Sequence, residues 1–300
     1  MTIPYDFSGI FHCNTASYLP TFVLIFSAAV NLPLHPAPST DGHPKVGVII
    51  PLYIYPGEAW TRIAALRTAN PMVPMVAIVN PANGPGSGPD PKYAAAISDL
   101  QETGVTVIGY VHTVYAAKAL SVVESVMSQY NDWYGVDGIF LDEMSSAPAN
   151  ERYYLTLKAH ADLLGFTCTI GNPGTDIPRT YVGTVDTFVI HEGHGLPDES
   201  FLAGWHSSYD KRNFAMIAYG VPSIDAARLS TLSAHVGHVY VTNEGTPNPY
   251  AALPRYLSSL VEGLQSNNTG ALVRPRQRRA RPSFRRMFQR GYILNLRITV

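Results

Sequence analysis

Cysteine is nearly absent: Cys13 and Cys168 are the two in 300 residues, so no disulfide framework exists and the fold must be held by packing. Charge is sparse at 14%, beside 46% apolar residues, the balance of an ordinary globular chain with a large core. Charge of each sign is also missing from one end. No Lys or Arg precedes Lys45, and no Asp or Glu follows Glu262. Nine of the 21 basic residues lie beyond Glu262, from Arg274 to Arg297, leaving 12 against all 22 acids and a net charge of −10 for the rest. An acidic body repels a phosphate backbone, which excludes nucleic acid as the partner. The Arg-rich end follows a polar break at 266–270 and shows no apolar stripe, so residues 267–300 are expected to be a disordered tail.

No apolar run is long enough to cross a bilayer. The stretch 19–30 spans about a dozen residues, the length of a signal-peptide core. Ser27, Ala28 and Ala29 offer small residues for cleavage, although no basic residue precedes the run. Residues 1–44 are expected to be a signal or pro segment and the protein to be secreted or at the cell surface, with no stable membrane insertion. Asn267-Asn268-Thr269 matches a glycosylation acceptor, in keeping with that route.

Several catalytic devices are missing as well. No glycine-rich phosphate cradle with a following Lys and Ser or Thr occurs. Lysine is absent from the strand ends, against a Schiff-base enzyme, and no serine stands at a strand-to-helix elbow.

What the chain does contain is alternation. Short runs rich in Val, Ile and Tyr predict strands at 46–53, 75–79, 106–111, 138–141, 167–170, 187–190, 213–218 and 238–241. Helical candidates follow at 58–68, 91–103, 116–130, 149–164, 178–182, 198–205, 224–234 and 249–264. Asp90-Pro91 reads as a helix cap and first turn; Gly104 and Gly165 read as terminators. Tyr153, Leu157, Ala161 and Leu164 form one apolar stripe. Eight consecutive beta-alpha units predict an α/β fold, a single-domain (β/α)8 TIM barrel over 45–266. The competing doubly wound sheet would show a glycine-rich loop after the first strand, where this chain has Tyr53-Ile54-Tyr55-Pro56-Gly57.

In such a barrel the loops at the carboxyl ends of the strands build the site. Those ends carry Tyr53, Tyr55, Asn80, Tyr110, His112, Asp142, Glu143, Asn172, His191, Glu192, Tyr219, Asn243 and Glu244. Any one of these acids alone could be a helix cap or a surface ion pair. Asp142, Glu143 and Glu192 together, each directly after a buried-looking run, form a costly arrangement unless a site uses it. Acids, amides, imidazoles and tyrosines suit a polyhydroxylated ligand, and two carboxylates are what glycosidic cleavage requires. Tyr53, Asn80, Tyr110, His112, Asn172, His191, Tyr219 and Glu244 are the candidate substrate-binding residues. His191 and His194 lack a third ligand, so no metal and no other cofactor is expected.

Five segments carry a resemblance: Ile50-Pro51-Leu52-Tyr53, Asn80-Pro81-Ala82-Asn83-Gly84-Pro85-Gly86, Gly109-Tyr110-Val111-His112-Thr113, Gly138-Ile139-Phe140-Leu141-Asp142-Glu143 and Glu192-Gly193. In order and spacing the chain resembles the spherulin 4-like proteins, a group that includes glycoside hydrolases acting on galactosamine-containing polysaccharide. The resemblance implies an endo-acting barrel hydrolase of α-1,4-linked N-acetylgalactosamine stretches, with Asp142, Glu143 and Glu192 essential. A monomer with a polysaccharide partner is expected. Two role assignments stay open. In one, Asp142 is the nucleophile, Glu192 the general acid and base, and Glu143 an orienting group, because neighbours on a strand point to opposite sides. In the other, Glu143 is the acid and the substrate's own acetamide attacks while Asp142 orients it. A wall- or spore-associated protein that binds sugar without cutting it is the alternative from another class.

Overall fold

A computed structural model of the chain describes residues 44–270. The expected signal segment therefore lies outside the described residues except for Pro44, and the Arg-rich tail except for its first four positions, 267–270. Eight strands alternate with helices: β1 Gly47–Leu52, β2 Met75–Val79, β3 Thr106–His112, β4 Gly138–Asp142, β5 Cys168–Gly171, β6 Thr187–His194, β7 Phe214–Tyr219 and β8 His238–Val241. The helices are α1 Glu58–Ala69, α2 Pro91–Glu102, α3 Leu120–Tyr134, α4 Glu151–Leu163, α5 Glu199–Leu202, α6 Ala226–His235 and α7 Leu257–Asn268. Every strand pairs parallel with its sequence neighbour and β8 returns to β1, closing the barrel. The predicted TIM barrel is the fold.

The strands are legible because each is buried on both faces, which demands uninterrupted apolar runs in place of alternation. β1 and β2 are buried throughout. The side chain of Asp90 caps α2 by accepting from Lys92 N at 2.8 Å, with Pro91 in the first turn. Gly104 and Gly165 end their helices at φ 84° and 80°, conformations that favour glycine. α4 buries Tyr154, Leu157 and Ala161, so Tyr154 takes the inward place that the sequence stripe gave to Tyr153.

Several expectations shift. The segment after β5 forms a single 3-10 turn, Arg179–Tyr181, and the one after β6 is broken into α5 and two 3-10 turns, Trp205–Ser208 and Lys211–Asn213. α3 starts at Leu120 and not at 116, because Val114, Tyr115 and Ala116 all take positive φ (51°, 53°, 69°), which no right-handed helix can contain. β6 runs to His194 and not to 190. The polar run at 266–270 is a latch and not a break. Asn268 accepts from Val46 N at 2.8 Å and donates to the carbonyls of Val46 and Met72, each at 2.9 Å, while Gln265 accepts from Met72 N at 3.0 Å. The last helix is thereby tied to the start of the first strand. The same packing buries the Asn267 amide nitrogen, the atom a glycan would occupy, against the acceptor reading of 267–269.

Candidate active site

β4 delivers Asp142 to the barrel mouth, level with His112 of β3. The strand then stops, since Glu143 takes φ 50°. Its carbonyl is held there by Thr113 Oγ1 at 2.8 Å and Tyr115 N at 2.8 Å. A residue in that conformation does not continue strand alternation, so the geometric reason for separating Asp142 from Glu143 does not apply. Both charges act on the Tyr110 hydroxyl, which is held protonated far beyond its usual range by burial first and by these acids next.

β5 contributes Asn172, fixed on both sides by backbone: its N–H donates to Leu141 O at 2.8 Å and its carbonyl accepts from Met144 N at 2.9 Å. Gly171 precedes it because Met144 Sδ lies 2.2 Å from where a Cβ would stand. β6 contributes Glu192. Val189 and His191 pair with consecutive residues of β7, leaving Ile190 as an inserted residue, and such a bulge re-aims the side chains beyond it.

These three strands converge on one nitrogen. Asn172 Nδ2 donates to Asp142 Oδ1 at 2.8 Å and to Glu192 Oε2 at 2.5 Å. Tyr110 donates its hydroxyl to Asp142 Oδ2 at 2.6 Å, and Tyr250 donates its own to Glu192 Oε1. Tyr53 closes the ring of aromatics, edge-on to Tyr110 at 5.7 Å and to Tyr250 at 5.6 Å. Burial raises the Glu192 carboxyl above the usual range, and the Asp142 charge adds to this; the donors Tyr250 and Asn172 oppose it without cancelling it. Among the described residues no Lys, Arg or His forms an ion pair with Asp142, Glu143 or Glu192. Burial thus favours a proton on Glu192 beside a second carboxyl group, an arrangement two-carboxylate chemistry uses.

The remaining candidates lie around this centre. Asn80 turns away to accept from Gly84 N at 2.9 Å, fixing the loop between β2 and α2. His112 faces Lys118, whose Nζ is 2.9 Å from its Nε2. His191 folds back toward Gly195 O at 3.3 Å, and its burial lowers its pKa. Tyr219 packs edge-on against His194 at 6.0 Å. Glu244 accepts from the neighbouring Asn243 amide at 2.6 Å and not from the central cluster. Among the described residues no group of three His, Cys, Asp or Glu side chains is placed to hold a metal. No helix among them is long and apolar enough to cross a membrane.

Two residues of the site escaped the sequence reading. Tyr250 was placed inside a helix predicted from 249, yet Pro254 lies within that run and the helix starts at Leu257, leaving Tyr250 on a loop that reaches over the mouth. Lys118 stands six residues beyond the end of β3, outside a search confined to strand ends.

The fold and site define a closed parallel barrel with a tyrosine-ringed carboxylate pair at the carboxyl ends of its strands. Residues 47–264 match the model of the Spherulation-specific family 4, and the chain belongs to that family. It is 33% identical over 245 residues to Spherulin-4 of Physarum polycephalum, covering 77% of this chain and 73% of the relative. Among solved structures it is similar to Aspergillus clavatus Sph3 in complex with GalNAc, with a TM-score of 0.64 and 25% identity over 74% of this chain and 98% of that one.

Proposed function

We propose that this protein is a secreted or cell-surface glycoside hydrolase that cuts within α-1,4-linked N-acetylgalactosamine or galactosamine-containing fungal polysaccharide, by a retaining mechanism. The observation that carries this reading is the single amide nitrogen shared by Asp142 and Glu192. The two contacts of 2.8 and 2.5 Å limit the separation of the bridged oxygens to about 5.3 Å. Retaining glycosidases hold their carboxyl groups about 5–5.5 Å apart, whereas inverting ones need about 6.5–9.5 Å to admit a water. Similarity to a structure that holds GalNAc supports the choice of sugar.

In this mechanism the protonated Glu192 gives its proton to the glycosidic oxygen as the bond to the anomeric carbon breaks. Asp142 attacks that carbon and forms a glycosyl ester. Glu192, now a carboxylate, takes a proton from water, whose oxygen displaces Asp142 and releases the sugar. Tyr110 steadies the oxygen of Asp142 that Asn172 does not hold, and Tyr53 offers a ring edge and hydroxyl to the sugar. Glu143 orients substrate beside Asp142. Glu192 takes the acid role in this mechanism because burial favours the proton on its carboxyl group.

Mass spectrometry of products from purified acetylated polymer tests the proposal. Release of N-acetylgalactosamine oligomers is the expected result. Saturable binding with no new reducing ends would favour the non-catalytic, sugar-binding alternative.

A further inference from the structure

At the opposite end of the barrel from Asp142 and Glu192, a cleft of about 350 Å³ opens among the strand starts, a volume within the range of small-molecule sites. Met75 of β2, Thr106 of β3, Cys168 of β5 and His238 of β8 line it, each the first residue of its strand. Its walls are held in place. Met72 N donates to Gln265 at 3.0 Å and Met72 O accepts from Asn268 at 2.9 Å, while Arg67 Nε donates to Gly104 O at 3.1 Å. The His238 ring lies across Gly47, where a Cβ would stand 2.7 Å from its Cδ2, so this strand start must be glycine to admit the ring.

Two kinds of chemistry meet there. Met72, Met75 and Val76 supply apolar surface, Lys45 and Arg67 supply two cations, and no Asp or Glu is among the lining residues. Neither cation forms an ion pair among the described residues. Lys45 Nζ rests 3.8 Å from Met72 Sδ, a weak acceptor, and the Nε–H that Arg67 gives to Gly104 leaves its terminal N–H groups available. Burial lowers the His238 pKa to about 4, so its imidazole is neutral above that pH, and its Nδ1 is buried with no hydrogen-bond partner among the described residues. The ring therefore adds hydrogen-bonding capacity without charge. Two cations without a carboxylate beside them attract an anion, and the apolar wall favours one that carries a hydrocarbon body.

We propose that this cleft binds a small amphiphilic anion, with its oxyanion head held by Lys45 and Arg67 and its apolar body lying on Met72, Met75 and Val76. The site stands apart from sugar cleavage and does not rest on the hydrolase reading. Because the cleft is built only in the folded chain, its ligand stabilises the fold by mass action.

Titration of the full chain with octanoate, octyl phosphate, octanol and inorganic phosphate tests this, followed by NMR of isotope-labelled methionine methyl groups and by calorimetry. Octanoate or octyl phosphate is expected to shift the Met72 and Met75 methyl signals together and saturably. Met144, packed on Gly171 beside Asn172 at the other end of the barrel, is expected to stay in place. Octanol lacks the charge and inorganic phosphate lacks the body, so each is expected to bind about tenfold more weakly. Lys45→Gln/Arg67→Gln should lose about tenfold in affinity for the amphiphilic anions, the worth of two exposed charge contacts. Whichever of octanoate and octyl phosphate binds more tightly identifies the preferred head group. Three results would each overturn the proposal: no saturable shift at Met72 and Met75, a shift confined to Met144, or equal affinity of wild type for octanoate and octanol. The same holds if the double variant binds octanoate and octyl phosphate as tightly as wild type. The comparison of octanoate with octanol uses wild type alone and so decides the matter even if the double variant fails to fold.

Discussion

Asp142 and Glu192 arise 50 residues apart in sequence, yet their side chains are joined through one atom, the amide nitrogen of Asn172. That nitrogen spends one hydrogen on each carboxyl and so sets their spacing as a covalent spacer would. Replacing Asn172 with Ala removes the spacer and leaves two half-buried carboxyl groups free to part. Since small misplacements in a site cost on the order of 10²-fold, Asn172→Ala should lower kcat by about that factor with a smaller change in KM. Steady-state kinetics on an acetylated oligomer, with a thermal melt beside it, checks this.

Tyr250 donates its hydroxyl to Glu192 and so favours the ionised carboxylate. Tyr250→Phe removes that donor, and Glu192 then keeps its proton to higher pH. If Glu192 is the acid of the first step, the falling alkaline limb of kcat/KM moves upward in pH in the variant. A limb that stays in place would take the acid role away from Glu192.

The same carboxyl makes a stability prediction. Burial raises the Glu192 pKa in the folded protein above its unfolded value of 4.5, so the fold binds the proton more tightly than the unfolded chain does. Its stabilising contribution is fully present below the unfolded value and is lost as pH rises through the folded one. Glutamine does not titrate. The stability of Glu192→Gln relative to wild type should therefore increase from pH 4 to pH 8, read from paired thermal melts across that range. A pH-independent difference would show that Glu192 titrates alike in both states.

Asn268 ties α7 to the backbone of Val46 and Met72 by three hydrogen bonds. With roughly 1 kcal/mol for each such bond, Asn268→Ala should cost about 2–3 kcal/mol in urea unfolding. It should leave the pH profile of hydrolysis unchanged, because the latch sits at the start of β1 and the site at the other ends of the strands.

The barrel was legible because burial on both faces writes each strand as a Val- and Ile-rich run, and Asp142 and Glu192 stood out as acids where such runs end. The meeting of those two through Asn172 was not legible, since it depends on the register of β4, β5 and β6 and on the inserted Ile190. The backbone turn at Glu143 was not legible for a related reason. Treating it as the next strand residue assumes alternation, and a left-handed residue ends that pattern without any glycine to announce it. Val114, Tyr115 and Ala116 hid the start of α3 in the same way. For Tyr250 the cue was present: Pro249 and Pro254 flank a segment whose apolar periodicity alone suggested a helix.

The most direct test of the paired carboxyls is the anomeric configuration of the first product, followed by proton NMR as wild type and Asp142→Asn act on an acetylated α-1,4-linked oligomer. With Asp142 and Glu192 close enough for double displacement, wild type forms the α anomer first and the Asn variant forms no product. Initial appearance of the β anomer, or turnover by Asp142→Asn at the wild-type rate, would contradict the account.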